Sequence, residues 1–162
     1  MIRAARNADA DTIAALWNAM IRDTLFTFTT REKPEAEIAE MISGRPQAFW
    51  VAERQGAVAG FMTFGPFRSG PGYARTVEHS IVVSAAAQGL GTAGALMDEG
   101  ERAAWRLGHH VMVAAISGSN PRAIRFHEAR GYLHVGHLPE VGRKQGQWLD
   151  LILMQKILRE SG

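Results

Sequence analysis

The sequence predicts an α/β protein with a mixed, mostly antiparallel sheet of six or seven strands and about four flanking helices. Two observations support this prediction. Segments of strand character alternate with segments of helical periodicity along the chain, in the order βααβββαβαββ. In the centre, at residues 78–107, a β-branched run leads through a glycine-rich turn into a helix. Strand–helix–strand units in the second half imply parallel pairing there, and hairpins imply antiparallel pairing elsewhere.

The N-terminal quarter of the chain is predicted to hold one strand and two helices. Residues 2–5 suit a short strand, and Asn7 or Asp9 offers an N-cap to the first helix. The apolar positions of that helix recur at helical spacing, at Ile13, Leu16, Trp17, Met20 and Ile21. Residues 25–30 alternate apolar and hydroxyl side chains, so they form either a short strand or a loop with two exposed phenyl rings. A second helix is predicted at residues 34–42.

Glycine, proline and asparagine separate the elements of the remaining chain. The predicted elements are a hairpin at 48–54 and 57–65, a loop at 66–72, a strand at 73–83, the central helix closed by Gly108, a buried strand at 111–116, a helix at 121–130, a strand at 132–138, a loop at 139–147 and a last strand at 148–157. Asn120 offers the N-cap of the helix at 121–130, Pro121 suits its first position, and Gly131 ends it.

Composition excludes several classes of function. The 162 residues contain no cysteine, which excludes a disulfide framework, a thiol nucleophile and a cysteine-based zinc site. The net charge of +2, without a block of Lys or Arg, disfavours nucleic acid as a partner. His109 and His110 lack a third ligand at suitable spacing, so we expect no metal site. We expect a single domain over residues 1–162, cytoplasmic and without a membrane-spanning segment or signal peptide.

The glycine-rich turn at residues 88–94 predicts an anion site. N–H groups at the start of a helix lack partners within the helix, and the helix dipole adds positive potential there. The turn matches the dinucleotide fingerprint G-x-G-x-x-G, but residues 84–88 separate the strand from the glycines, and the next strand ends in Ser117 without a carboxylate. The Lys and Ser/Thr of a nucleotide P-loop are also absent. Two interpretations of residues 88–94 are left: another kind of phosphate-binding turn, or a plain tight turn.

The same turn reads as Gln88-x-x-Gly91-x-Ala93, which resembles the Gln/Arg-x-x-Gly-x-Gly/Ala motif of the GCN5-related N-acetyltransferase (GNAT) family. Glu78 on the preceding strand, and residues 120–132, extend the resemblance; the latter are similar to the family's Asn-x-x-Ala-x-x-Phe/Leu-Tyr-Glu-x-x-Gly-Phe segment. The resemblance implies the GNAT fold and binding of acetyl-CoA. The residues that it assigns to acetyl-CoA are Ile81, Val82, Val83, Gln88, Gly89, Leu90, Gly91, Thr92, Ala93 and Asn120.

A closer resemblance, to the phosphinothricin and methionine sulfoximine acetyltransferase branch, rests on residues 75–83, 126–128 and 146–150. This branch implies acetylation of the amino group of a small amino-acid-like compound by a homodimer without a metal. It also implies that Phe26 and Phe28 shape the acceptor pocket.

Acetyl transfer needs a neutral amine, and Glu78 is the candidate base that accepts the amine proton. Its apolar neighbours Val77 and Ile81 would raise its pKa. The alternative is a strand glutamate that faces solvent or pairs with Arg75. His127 stands where the family usually has a tyrosine, so the resemblance implies that it protonates the departing CoA thiolate. The alternative is a structural histidine that is hydrogen-bonded to the backbone.

Arg75 is the candidate for binding an acceptor carboxylate, because arginine binds carboxylates with two parallel hydrogen bonds. In a regular strand Arg75 and Glu78 point to opposite faces, so they share a pocket only if the strand is bulged. The alternative is a salt bridge on the sheet surface. We expect His79 to face away from Glu78 and to have a structural role. Asn120 caps its helix, positions the ligand, or does both.

Three functions fit these residues. The first is an acetyl-CoA-dependent N-acetyltransferase of small amino acid analogues, with direct transfer in a ternary complex because no cysteine is available as a nucleophile. The second is acetylation of a peptide or protein, which would need an open acceptor channel. The third is a sensor that binds acyl-CoA without catalysis.

Overall fold

The computed structural model describes residues 1–160 and contains eleven helices and strands within them. They are β1 (Ile2–Ala4), α1 (Ala10–Asp23), α2 (Glu35–Gly44), β2 (Phe49–Arg54), β3 (Ala57–Pro66), β4 (Thr76–Val83), α3 (Thr92–Arg106), β5 (Val111–Ser117), α4 (Pro121–Ala129), β6 (Leu133–Lys144) and β7 (Gln147–Ile157). This order confirms the predicted βααβββαβαββ. Residues 25–30 form a loop, which settles the choice that the sequence left open.

All seven strands join one sheet in the order β1-β2-β3-β4-β5-β7-β6. Among the strands of residues 1–160, the β4–β5 pair alone is parallel, and the other five pairs are antiparallel. The prediction of a mixed, mostly antiparallel sheet is therefore confirmed. The long β3–β4 pairing holds the centre of the sheet in continuous register from Pro66–Val77 to Gly60–Val83.

Within residues 1–160, two boundaries differ from the prediction by three residues or more. The strand predicted from Tyr73 begins only at Thr76, because a 3₁₀ turn at Pro71–Tyr73 precedes it. The loop predicted at residues 139–147 is wrong, since β6 continues to Lys144. β6 lies at the edge of the sheet, and its register shifts between Leu138 and Gly142. Edge strands and bulges tolerate proline and glycine, so the residues that predicted a loop are accommodated within a strand.

The two faces of the sheet bury two separate cores. α1 and α2 cover one face, where Ile13 and Ile38 pack against Phe61. α3 covers the other face, where Leu96 packs in a cluster with Met62. Phe61 and Met62 are neighbours in β3 and belong to different cores because successive strand residues point to opposite faces. The same alternation decides which side chains of β4 can meet each layer of helices.

We predict that Gly60 is required for close pairing of β3 with β4. A Cβ atom at this position would lie 2.9 Å from the carbonyl oxygen of Val82 and 3.2 Å from the Cα of Val83. Because these are backbone atoms, Gly60→Ala should lower the free energy of unfolding by about 1–3 kcal/mol, measured by urea unfolding. Gly44→Ala is the matched control, since no atom lies within 4 Å of its Cβ position. Equal effects of the two substitutions would contradict the prediction.

Candidate active site

A gap opens in the middle of the sheet where β4 and β5 part. The two parallel strands are paired only at Thr76–Val111, Val77–Met112 and Glu78–Val113. Beyond Glu78, β4 pairs only with β3, and beyond Val113, β5 pairs only with β7. The facing edges therefore present backbone N–H and C=O groups without sheet partners, as an added strand would require. Residues 81–83, predicted to contact acetyl-CoA, lie along this edge and are half-buried.

The glycine-rich turn lies at the carboxyl end of β4, where α3 begins. Gly89 and Gly91 have φ values of 75° and 77°, in the left-handed region that favours glycine. The N–H group of Ala95 donates to the carbonyl of Gly91 at 3.0 Å, so the N–H groups of residues 92–94 precede the first helical hydrogen bond. Gln88 is exposed and its side-chain oxygen accepts a hydrogen bond from Arg122 at 2.7 Å. The turn therefore offers free donors and a nearby cation to an anion.

Asn120 stands across the gap, after β5. Its side-chain oxygen accepts a hydrogen bond from the N–H group of Ala123 at 3.2 Å, which confirms the predicted N-cap of α4. Capping occupies the oxygen and leaves the NH₂ group of the amide as a donor. The geometry is therefore compatible with both predicted roles of Asn120.

Glu78 is the last residue of β4 that pairs with β5, so its side chain stands where the gap begins. It is half-buried, and burial raises the pKa of its carboxyl group. In the part of the chain that the structure describes, this carboxylate forms no ion pair. The alternative in which it pairs with Arg75 is therefore wrong. The carboxylate is therefore partly desolvated, and no cation of residues 1–160 is paired with it.

The structure does not bring Arg75 to Glu78. Arg75 precedes β4 and donates a hydrogen bond to the carbonyl of Gly108 at 3.1 Å, at the end of α3. The register of β4 against β3 shows no bulge. Arg75 thus lies toward the α3 layer, whereas Glu78 points to the face of α1 and α2. Binding of an acceptor carboxylate by Arg75 stays a prediction that this geometry does not support.

His127 is buried and contacts a second histidine. Its Nδ1 lies 2.7 Å from the carbonyl oxygen of Ala123, and its Nε2 lies 3.1 Å from the Nε2 of His79. A carbonyl accepts only, so Nδ1 of His127 carries the proton, and in the neutral ring Nε2 accepts from His79. Burial lowers the pKa of His127 and lowers the pKa of His79 to about 3, which keeps both rings neutral.

This arrangement limits how His127 can act. His79 faces away from Glu78, as predicted from strand alternation, but its contact with His127 was not predicted. To protonate a thiolate, His127 would have to release either Ala123 or His79. Its role as an acid stays a prediction.

The predicted aromatic residues lie on the loop between α1 and α2. Phe26 is 44% exposed, whereas the ring of Phe28 packs against Gly142, where a Cβ would lie only 2.6 Å from it.

A residue that was not predicted anchors this loop between α1 and α2. Lys144 is 4% exposed, and its ammonium group donates to the carbonyl oxygens of Ile21, Thr24 and Thr27 at 2.7–2.9 Å. The C-terminus of α1 and the aromatic loop are thereby tied to β6.

The described residues offer neither a metal site nor a membrane-spanning helix. Residues 1–160 contain no group of three or more His, Cys, Asp or Glu side chains placed to hold a metal ion. None of their helices is both long and apolar enough to cross a membrane.

Comparison with known proteins places the chain in a family. Residues 13–132 match the model of the acetyltransferase (GNAT) family, which is more than half of the chain. The L-methionine sulfoximine/L-methionine sulfone acetyltransferase of Salmonella typhimurium is 40% identical over 147 residues, covering 91% of this chain and 81% of the relative. The L-amino acid N-acyltransferase MnaT of Escherichia coli is 35% identical over 162 residues, covering 98% and 94%.

Two solved structures share the fold. The protein yncA from Salmonella typhimurium, solved with its cofactor acetyl-CoA, superposes with a TM-score of 0.94 at 35% identity, covering 100% of this chain and 95% of that one. A phosphinothricin acetyltransferase from Sinorhizobium meliloti, in complex with acetyl-CoA, gives a TM-score of 0.92 at 32% identity, covering 98% and 88%. The predicted fold and the predicted resemblance are confirmed, and the chain belongs to the acetyltransferase (GNAT) family.

Proposed function

We propose that this protein is an acetyl-CoA-dependent N-acetyltransferase that acetylates the amino group of a small amino-acid-like acceptor of the methionine sulfoximine or phosphinothricin type. The observation that carries the proposal is the gap between β4 and β5, which runs from the carboxylate of Glu78 to the glycine-rich turn. The names of the relatives at 32–40% identity support the acceptor class.

The residues present fit acetyl-CoA. The N–H groups of residues 92–94 and the side chain of Arg122 would hold its pyrophosphate, which could approach closely because Gly89 and Gly91 have no side chains. The unpaired edge of β4 at residues 81–83 would bind the amides of the pantetheine arm. A ligand of this kind brings its thioester to the narrow end of the gap, beside Glu78.

Glu78 then acts as the general base. An α-amino group has a pKa of about 8, so it is mostly protonated at neutral pH and must lose a proton before it can attack. The carboxylate of Glu78 accepts this proton, directly or through water, and its raised pKa brings it closer to that of the amine. The amine nitrogen bonds to the thioester carbon, the carbon–sulfur bond breaks, and the thiolate leaves. No acyl-enzyme is required, and the chain has no cysteine to form one.

We further propose that the protein forms a homodimer. The edge strand β6 and the adjoining β7 expose large apolar side chains, including Leu133, Val135, Val141 and Trp148. Exposed apolar groups of this kind are typical of a surface that is covered by a partner.

A thiol-release assay tests the function. With acetyl-CoA, we expect release of CoA in the presence of methionine sulfoximine or phosphinothricin, and much less release with polyamines or short peptides. Release with peptides alone would favour the peptide acetyltransferase instead. Tight binding of CoA without transfer to any amine would favour the sensor.

The role of Glu78 is tested by Glu78→Gln. This substitution keeps the shape of the side chain but removes the base, so kcat should fall by about 100-fold or more while the affinity for acetyl-CoA is unchanged. In the wild type, kcat/KM should fall as the pH decreases through the raised pKa of Glu78, because the protonated carboxyl cannot accept a proton. The rate of the variant should instead follow the fraction of neutral amine. Glu40→Gln, at an exposed position of α2, is the control. An unchanged rate for Glu78→Gln would remove Glu78 as the base.

The predicted acid role of His127 is separated from a structural role by two variants. If His127 protonates the thiolate, His127→Phe should lower kcat by about tenfold or more without changing the KM for acetyl-CoA. His79→Phe removes the buried partner but leaves His127 in place, so it should retain most of kcat. A purely structural pair predicts similar losses of thermal stability for both variants and little change of kcat in either.

A further inference from the structure

A half-buried arginine lies on the same face of the sheet as Glu78. Arg45 follows α2, and its guanidinium group lies over Gly65 of β3, with Nη2 2.7 Å from the position that a Cβ of Gly65 would occupy. Its Nη1 donates to the hydroxyl of Thr63 at 3.1 Å, and that hydroxyl donates to the carbonyl of Ala48 at 2.7 Å. Any larger residue at position 65 would displace the guanidinium, so Gly65 provides the space for it.

The strand register places this guanidinium beside Glu78. Gly65 is the direct cross-strand partner of Glu78, and Thr63 is the partner of Ser80. Side chains of directly opposed residues share a face, with Cβ atoms about 4.5–5.5 Å apart in antiparallel pairs. The guanidinium of Arg45 therefore lies over the cross-strand neighbour of Glu78, on the α1 and α2 face.

Arg45 has no ion-pair partner among the residues that the structure describes. Its side chain is half-buried, and this burial lowers the pKa of the guanidinium. A cavity of about 820 Å³ adjoins Arg45 and is also lined by Gly65, Arg68 and Tyr73. Among the described residues its lining reaches Val77, the neighbour of Glu78 in β4, and does not include Glu78 itself. A partly desolvated cation without a paired carboxylate is stabilised when a ligand supplies one.

We propose that Arg45 binds the carboxylate of the acceptor and so places the acceptor's α-amino group at Glu78. This inference rests on the proposed function and names the group that selects amino acids among amines. In an α-amino acid the amine and the carboxylate are attached to the same carbon. A carboxylate held by the free N–H groups of Arg45 therefore brings the amine toward the adjacent carboxylate of Glu78.

The steady-state kinetics of Arg45→Met test this proposal. Methionine keeps the apolar stem but removes the hydrogen-bond donors. We expect the KM for methionine sulfoximine to rise about 100-fold and the KM for acetyl-CoA to stay unchanged. We also expect the variant to lose the wild-type preference for methionine sulfoximine over its α-carboxamide, in which the charge is absent. Arg45→Lys keeps the charge but not the planar donor group, and should give an intermediate KM. Arg54→Met, at the exposed end of β2, is the matched control.

The outcomes separate the two proposals. Suppose that the wild type acetylates methionine sulfoximine but that Arg45→Met leaves its KM unchanged, or that the KM rises in Arg75→Met instead. Either result overturns the role of Arg45 and leaves the proposed function intact. Wild-type turnover confined to amines without a carboxylate overturns both. Titration calorimetry of methionine sulfoximine against the protein with CoA measures the same contact without turnover. Binding by the wild type and the Arg54→Met control but not by Arg45→Met supports the proposal; equal binding by all three, or none by the wild type, overturns it.

Discussion

The parting of β4 and β5 after Glu78 is the constraint on which the site depends. The parallel pair lasts for three residues, and each strand then keeps only its outer partner. Backbone N–H and C=O groups in the middle of a sheet need partners, so a gap there is stable only when water or a ligand supplies them. An extended chain of amides, such as a pantetheine arm, supplies them in the geometry of a strand. The unpaired backbone groups between β4 and β5 therefore form a binding edge that the fold itself creates.

Because side chains alternate along β4, the proposed base and the buried histidine pair lie on opposite faces of the sheet. In β4, Glu78 points to the α1 and α2 layer, whereas His79 points to the α3 and α4 layer and meets His127. The buried histidine pair and the proposed base are thus separated by the sheet. An acceptor that meets Glu78 must enter from the α1 and α2 face. On that face the structure offers Arg45 as the cation, because Arg75 is bound to the end of α3.

Local sequence signals predicted most of the fold but only part of the site. Periodicity and glycine positions gave the order of elements, the turn at residues 88–94 and the N-cap at Asn120, because each depends on residues close together in the chain. The predicted length of β6 was too short, because residues that usually end strands are tolerated in a bulged edge strand. Lys144 binds carbonyls more than 100 residues away, and Arg45 depends on a missing Cβ 20 residues away. Neither contact leaves a local pattern in the sequence.

The two desolvated cations of this face show how a structural group differs from a binding group. The ammonium of Lys144 has three N–H donors, and three carbonyl oxygens accept them, so it is saturated by the protein and only ties the aromatic loop to β6. The guanidinium of Arg45 has five N–H donors and uses one, on Thr63. Within residues 1–160 neither cation pairs with a carboxylate, but of the two Arg45 retains donors beside a cavity. Unused donors on a half-buried charge, rather than the charge itself, are what support the proposal that Arg45 binds a ligand.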